Sequence, residues 1–149
     1  MLPIINRNCM ITESAIVTKQ EILKKMADLF AKEGYLADEE VFFQDILNRE
    51  AVFSTYIGFD IGLPHGKSEA VKEAGIAVAK LDNPVSWETE ENDQVDMILM
   101  IAVKEGKGND LHLHILQKLS RMLMREEFRD TLKNSDLDTL CTFLTEQLA

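Results

Sequence analysis

Few of the residues that announce a compartment or a reaction are present in this sequence. Its two cysteines, Cys9 and Cys141, stand far apart and in no C-x-x-C pattern. That leaves no cysteine-based metal or redox motif, and it reads as two reduced thiols in a cytoplasmic protein. Long apolar runs are missing too: the longest, Met97 to Val103, is far too short to span a bilayer. The opening residues, Met1 to Asn8, lack a basic head followed by an apolar stretch, so no signal peptide is expected. Basic residues are outnumbered, 16 Lys and Arg against 26 Asp and Glu, for a net charge of -10. Such a balance argues against nucleic acid or an anionic membrane as the main partner. It allows a basic protein partner or a cationic ligand. No G-x-S-x-G occurs, which excludes the nucleophile elbow of a serine hydrolase.

What is there suits a folded domain. A length of 149 residues with 46% hydrophobic content fits one domain, residues 1–149, with a sizeable core. The segment ending in Cys9-Met10-Ile11 fits a short strand. From Thr18, the spacing of Ile22, Met26, Leu29 and Phe30 predicts an amphipathic helix. Thr18 is its N-cap, Glu21 completes a capping box, and Gly34 stops it. Asp38 starts a second helix that runs to about Glu50. Residues 54–63 read as a strand bent at Gly58, and residues 68–74 fit a short helical turn. Residues 75–81 read as a strand, Asp82-Asn83-Pro84 as a turn, and residues 88–94 as a solvated loop. The strand over residues 96–103 is nearly all apolar, which implies cover on both faces. After the connection at Gly106-Lys107-Gly108-Asn109, helices are predicted over residues 111–125, 126–133 and 136–148. Strands alternate with helices, so the class is α/β or a mixed-sheet α+β sandwich.

The candidate chemistry rests on three histidines. His65 follows Pro64 and precedes Gly66. Pro64 holds Leu63 extended and cannot donate to a ladder, so His65 is expected at a strand end on the rim of a sheet. A loop histidine without a role fits equally. The run Gly62 to Ser68 resembles a phosphate-binding loop one residue short, with Pro64 removing an N–H that such a loop needs. At about 100° per residue, Ile115, Leu116, Leu119 and Leu123 fall within roughly 60° of His112, whereas His114 points about 160° away. His112 is therefore placed on the core-facing stripe in the first turn of its helix, with Asp110 or Asn109 as cap, and His114 in solvent. Two readings of His112 stay open: a satisfied core histidine, or a donor to a phosphoryl group bound near a helix N-terminus. Arg49 is the candidate cation; a solvated helix-end arginine fits it as well. Ser54 and Thr55 are candidate hydroxyl donors. His112 and His114 diverge around the helix, so no metal set forms at ligand spacing.

Taken together, Asn48-Arg49-Glu50-Ala51, Ser54-Thr55-Tyr56-Ile57-Gly58 and Gly62-Leu63-Pro64-His65-Gly66-Lys67 resemble a known phosphorylation-site signature. It is that of the enzyme IIA components, fructose/mannitol class (type 2), of the phosphoenolpyruvate-dependent sugar phosphotransferase system. The segment from His112 to Ser120, followed by Glu126-Glu127-Phe128, is similar to that family's second histidine motif. The resemblance implies an α/β three-layer sandwich, a mixed sheet of about five strands with helices on both faces. It implies that His65 accepts a phosphoryl group from the carrier protein HPr and passes it to a cysteine of an enzyme IIB partner, and thence to a sugar. By the same match His112 orients the phosphohistidine and Arg49 pairs with the phosphoryl group. No metal, nucleotide or other cofactor is implied, no nucleic acid is a partner, and the membrane is met only through the permease. A regulatory phosphoprotein of the same fold, like the nitrogen-related enzyme IIA, is the alternative; a nucleotide-binding enzyme using Gly62 to Ser68 is a third. Three positions depart from the family's pattern: Tyr56 where a small residue is common, Gly62 where alanine is usual, and Leu63.

His114→Ala is expected to leave phosphoryl acceptance near the unsubstituted level. A large loss in a phosphotransfer assay would mean that the helix phase is wrong.

Overall fold

The computed structural model describes residues 1–106 and 110–149, and the side chains of residues 1–106 and 114–149. The connection at 107–109, the proposed Asn109 cap, and the side chains of Asp110 and His112 lie outside the described residues.

Five strands form one mixed sheet: β1 (Ile5–Glu13), β2 (Ile61–Gly62), β3 (His65–Ser68), β4 (Gly75–Ser86) and β5 (Gln94–Lys104). β1 runs parallel to β4, β4 runs antiparallel to β5, and β2 and β3 both lie parallel to β5. Five helices accompany them: α1 (Lys19–Lys32), α2 (Glu39–Val52), α3 (Asp110–Leu123), α4 (Glu126–Asn134) and α5 (Leu137–Gln147).

The period-two alternation of buried strands divides the core between the two faces. Ile98, Met100, Ala77 and Ala79 pack with Ile22, Phe30, Phe42 and Ile46 of α1 and α2. Their neighbours Leu99, Ile101, Ile76 and Val78 pack with Leu119, Leu123, Phe128, Leu132, Leu140 and Leu144 of α3, α4 and α5. Hence β5 is apolar from Met97 to Val103, as expected for a strand with helices above and below. The result is the three-layer α/β sandwich.

The helix boundaries follow local chemistry. The Thr18 hydroxyl accepts from the Glu21 N–H at 3.1 Å, and the Glu21 carboxylate accepts from the Thr18 N–H at 2.9 Å. Both members of the capping box are thus present. Gly34 has φ +87, the left-handed step that ends α1. The Asp38 carboxylate caps α2 through the Val41 N–H at 3.1 Å.

Three expectations fail. Residues 54–63 are not one strand: only Ile61–Gly62 joins the sheet. Gly58, Phe59 and Asp60 adopt φ of +91, +58 and +61, a left-handed turn that no strand can contain. Tertiary contacts hold it, because Lys133 Nζ donates to the Phe59 carbonyl at 3.0 Å and the Arg129 guanidinium stacks over the Phe59 ring at 3.5 Å. Residues 68–74 hold no helical turn; Val71 instead makes an isolated bridge to Leu36. Asp82-Asn83-Pro84 does not end its strand. β4 runs through it, and the ladder to β5 shifts register between Lys80 and Val85, so Pro84 falls where no partner is required of it. Gly66 sits within β3.

Cys9 is fully buried, and burial, with a lesser push from the Glu33 charge, raises its thiol pKa to about 12. Both cysteines are free. A thiol reagent at mildly alkaline pH is expected to modify Cys141, which is partly exposed, and to reach Cys9 only after denaturation. Equal labelling rates in the native protein would contradict this packing.

Candidate functional site

The site forms where the line of β2 and β3 is interrupted. Ile61 and Gly62 pair with Met97 and Ile98, and pairing resumes at His65 opposite Ile101. Between them Pro64 has no N–H to offer; its carbonyl accepts from the Ile101 N–H at 2.9 Å. Leu63 turns its N–H to the Thr55 carbonyl at 3.0 Å. Its own carbonyl meets His65 Nδ1 at 2.8 Å. A carbonyl oxygen only accepts, so Nδ1 carries a proton, and in the neutral ring Nε2 carries the lone pair. His65 is half-buried, and its Nε2 has no partner among the described residues.

Helix α2 lies against β3. The Ser68 hydroxyl donates to the Asp45 carboxylate at 2.6 Å. A Cβ at Gly66 would meet Ile46 at 3.7 Å and the Arg49 Cβ at 3.9 Å. The helix thereby delivers Arg49 beside His65 on its last turn. Arg49 Nη1 donates to the Phe53 carbonyl at 2.7 Å, closing the helix end. One of five guanidinium donors is engaged, and the others remain.

A cleft of about 610 Å³ opens here, lined by Arg49, Ser54, Leu63, His65, Leu116 and Arg121 among others. Among the described residues no Asp or Glu lines it. In a chain of net charge -10, a cleft whose described lining has two guanidinium groups and no carboxylate is a local reversal of sign. Arg121 was not among the residues that the motifs point to. Its signal in the sequence is weak: it follows Leu116 by five positions and Gln117 by four on one side of α3, and all three line the cleft.

Ser54 and Thr55 also line the cleft, but their hydroxyls face different ways. The Ser54 hydroxyl accepts from the Tyr56 N–H at 3.1 Å and keeps its own proton for another acceptor. Thr55 is buried; its hydroxyl donates to Glu50 and accepts from Trp87 Nε1–H at 3.3 Å. That leaves Thr55 a poor phosphate donor. His112 falls in the first turn of α3; its side chain is outside the described residues. His114 is exposed, as its helix phase predicts. The run Gly62 to Ser68 is strand, proline and strand, with no helix behind it to receive a phosphate, so the nucleotide-loop reading fails.

A short extended interruption of a strand presents one imidazole lone pair to a cationic cleft, which fits covalent catalysis on an anionic group. Comparison with known proteins gives the family. Residues 3–147 match the family model described as "Phosphoenolpyruvate-dependent sugar phosphotransferase system, EIIA 2". The chain belongs to this family. It is 35% identical to "Multiphosphoryl transfer protein 2" of Escherichia coli over 98% of its own length and 17% of that protein's. It is 32% identical to the "PTS system fructose-specific EIIA component" of Haloferax volcanii, over 83% of this chain and 80% of that one. Among solved structures, a nitrogen regulatory protein IIA-Ntr from Neisseria meningitidis superposes with a TM-score of 0.82 at 23% identity, covering 95% and 96% of the two chains. An Escherichia coli complex of the mannitol enzyme IIA with phosphorylated enzyme IIB gives 0.74 at 24% identity, covering 94% and 95%. These two likenesses concern the fold.

The departure at Gly62 has a local cause. A Cβ there would sit 2.7 Å from Trp87 Cζ2 and 2.8 Å from Cε2, inside the ring's contact distance. Gly62→Ala is expected to destabilise the protein by about 1–3 kcal/mol, as overpacking does. Urea unfolding measures this, and an unchanged midpoint would mean that Trp87 does not seal the strand.

Proposed function

We propose that this chain is a phosphocarrier of a sugar phosphotransferase system, with His65 Nε2 as the nucleophile. In the first step Nε2 attacks the phosphorus of the HPr phosphohistidine. The new N–P bond forms as the donor's N–P bond breaks, and the donor imidazole leaves neutral with its lone pair restored. In the second step a thiolate of an enzyme IIB cysteine attacks the same phosphorus, and His65 is released neutral. No net proton is needed at either step, and Nδ1–H stays on the Leu63 carbonyl throughout. The observation that carries this reading is His65 Nε2, with no partner among the described residues, in a cleft lined by Arg49 and Arg121 and by no carboxylate among the described residues.

The transition state spreads negative charge over the phosphoryl oxygens, so fixed cations favour it more than the ground state. Arg49 supplies a fork that Phe53 already holds in place, and Arg121 supplies a second one from α3. Ser54 adds a hydroxyl donor, and Thr55 serves the loop. His112 is assigned to the phosphohistidine because it shares α3 with Leu116, Gln117 and Arg121, and by the motif resemblance. HPr as donor and enzyme IIB as acceptor follow from the family, and the acidic surface suits a basic face on HPr. A sugar of the fructose/mannitol class is the proposed cargo. Among the described residues no helix is long and apolar enough to cross a membrane; the proposed setting is the cytoplasm, with the bilayer met through the permease.

The test is a phosphotransfer assay with phosphoenolpyruvate, enzyme I and HPr, with the acid-labile phosphate mapped by mass spectrometry. One phosphate on His65 is expected, and none on folded His65→Ala; retained labelling there would overturn the assignment. Arg49→Lys and Arg121→Ala should each slow transfer by about tenfold or more, since a point charge does not replace a planar fork and a lost donor weakens the transition state. Unchanged rates would leave both as surface cations. Phosphorylation without onward transfer to any enzyme IIB would favour the regulatory alternative.

A further inference from the structure

Lys19 and Glu50 form a buried ion pair at 2.9 Å, with side chains only 10% and 6% exposed. Two charges are rarely taken out of water without further partners, and here each has them. Lys19 Nζ also donates to the Trp87 carbonyl at 3.1 Å and lies 4.6 Å from the centre of its ring. Glu50 accepts from the Thr55 hydroxyl through one oxygen, and through the other from the Thr55 N–H at 3.4 Å. Trp87 Nε1–H donates back to the Thr55 hydroxyl oxygen. The four residues close a ring drawn from α1, the end of α2, the loop after it, and the end of β4.

This ring meets the nucleophile through one residue. The Thr55 carbonyl takes the Leu63 N–H, and the Leu63 carbonyl takes His65 Nδ1–H. The Trp87 ring closes over Gly62, one residue before Leu63. A charged pair sealed in a small polar ring is stiffer than a loop held by backbone bonds alone, because each donor has one acceptor to satisfy.

We propose that Glu50 is a positioning residue for His65: with Lys19, Thr55 and Trp87 it holds the Leu63 carbonyl in place and so keeps the imidazole in the tautomer with Nε2 unprotonated. The ring thus does for this histidine what an orienting carboxylate does in other sites, but at one remove and through the main chain. The rate consequence rests on the phosphocarrier reading above. The tautomer consequence does not.

The test uses the full chain with 15N-labelled imidazoles, and the variants Thr55→Val, Thr55→Ser and Glu50→Gln. Circular dichroism checks that each is folded. In the unsubstituted protein the nitrogen shifts of neutral His65 should report the Nδ1–H form. In Thr55→Val and Glu50→Gln they should report a mixture. Phosphorylation by phospho-HPr should slow by about tenfold or more with little change in KM for HPr, as expected for a nucleophile held in the wrong form. Thr55→Ser, which keeps the hydroxyl, should restore both readouts. If Glu50→Gln does not fold, Thr55→Val decides the matter. A folded Thr55→Val with His65 still wholly in the Nδ1–H form would overturn the proposal, whatever its rate. Failure of the unsubstituted protein to accept phosphate would sink the carrier reading and leave the tautomer result to judge the ring.

Discussion

A neutral imidazole carries one proton and one lone pair, and at His65 the Leu63 carbonyl decides which nitrogen has which. That carbonyl is available because the strand is broken beside it. Proline cannot continue a ladder on its N–H side, so the chain between β2 and β3 makes its hydrogen bonds locally. Ile101 still takes the Pro64 carbonyl, so the break is narrow and the strand resumes at once. His65 therefore stands on a rigid sheet, not on a loose loop, and its orientation is set by the main chain.

The remaining features place charge around that lone pair. The two-faced core anchors β5, and β5 anchors both halves of the broken strand. Helix α2 is held to β3 by the Asp45–Ser68 hydrogen bond, and it ends with Arg49 beside His65. Helix α3 brings Arg121 from the other face of the sheet to the same cleft. Acidic residues outnumber basic ones in the chain as a whole but are absent among the described residues of the cleft lining, which holds Arg49 and Arg121. The buried Lys19–Glu50 pair stands behind the cleft. Breaking such a pair by removing one partner costs about 3–5 kcal/mol, which makes it a firm support for the loop that carries Ser54 and Thr55.

Much of this was legible in the sequence where local chemistry is decisive. The Thr18–Glu21 capping box, the Asp38 cap and the apolar β5 each dictate structure within a few residues. His65 was marked by its proline and by the motif around it. Legibility failed where distant partners decide. Phe59 and Asp60 look like strand residues, and it is Lys133 and Arg129, far along the chain, that hold their left-handed turn. Pro84 looks like a strand end until the register shift opposite β5 frees its nitrogen. Thr55 looks like a phosphate donor, yet its hydroxyl answers to Glu50 and Trp87. Arg121 shows in the sequence only as one more basic residue on a helix, because its role depends on which face of α3 meets the cleft.

The most direct test of this view is to ask which nitrogen of His65 carries the phosphate. Phosphorylated protein with 15N-labelled histidine would be examined by NMR for nitrogen–phosphorus coupling and for the ring nitrogen shifts. Phosphate on Nε2, with Nδ1 still protonated and bonded, is the expected result. Phosphate on Nδ1 would contradict it, because the Leu63 carbonyl would then have lost its donor and the arrangement around Pro64 would have no part in the chemistry.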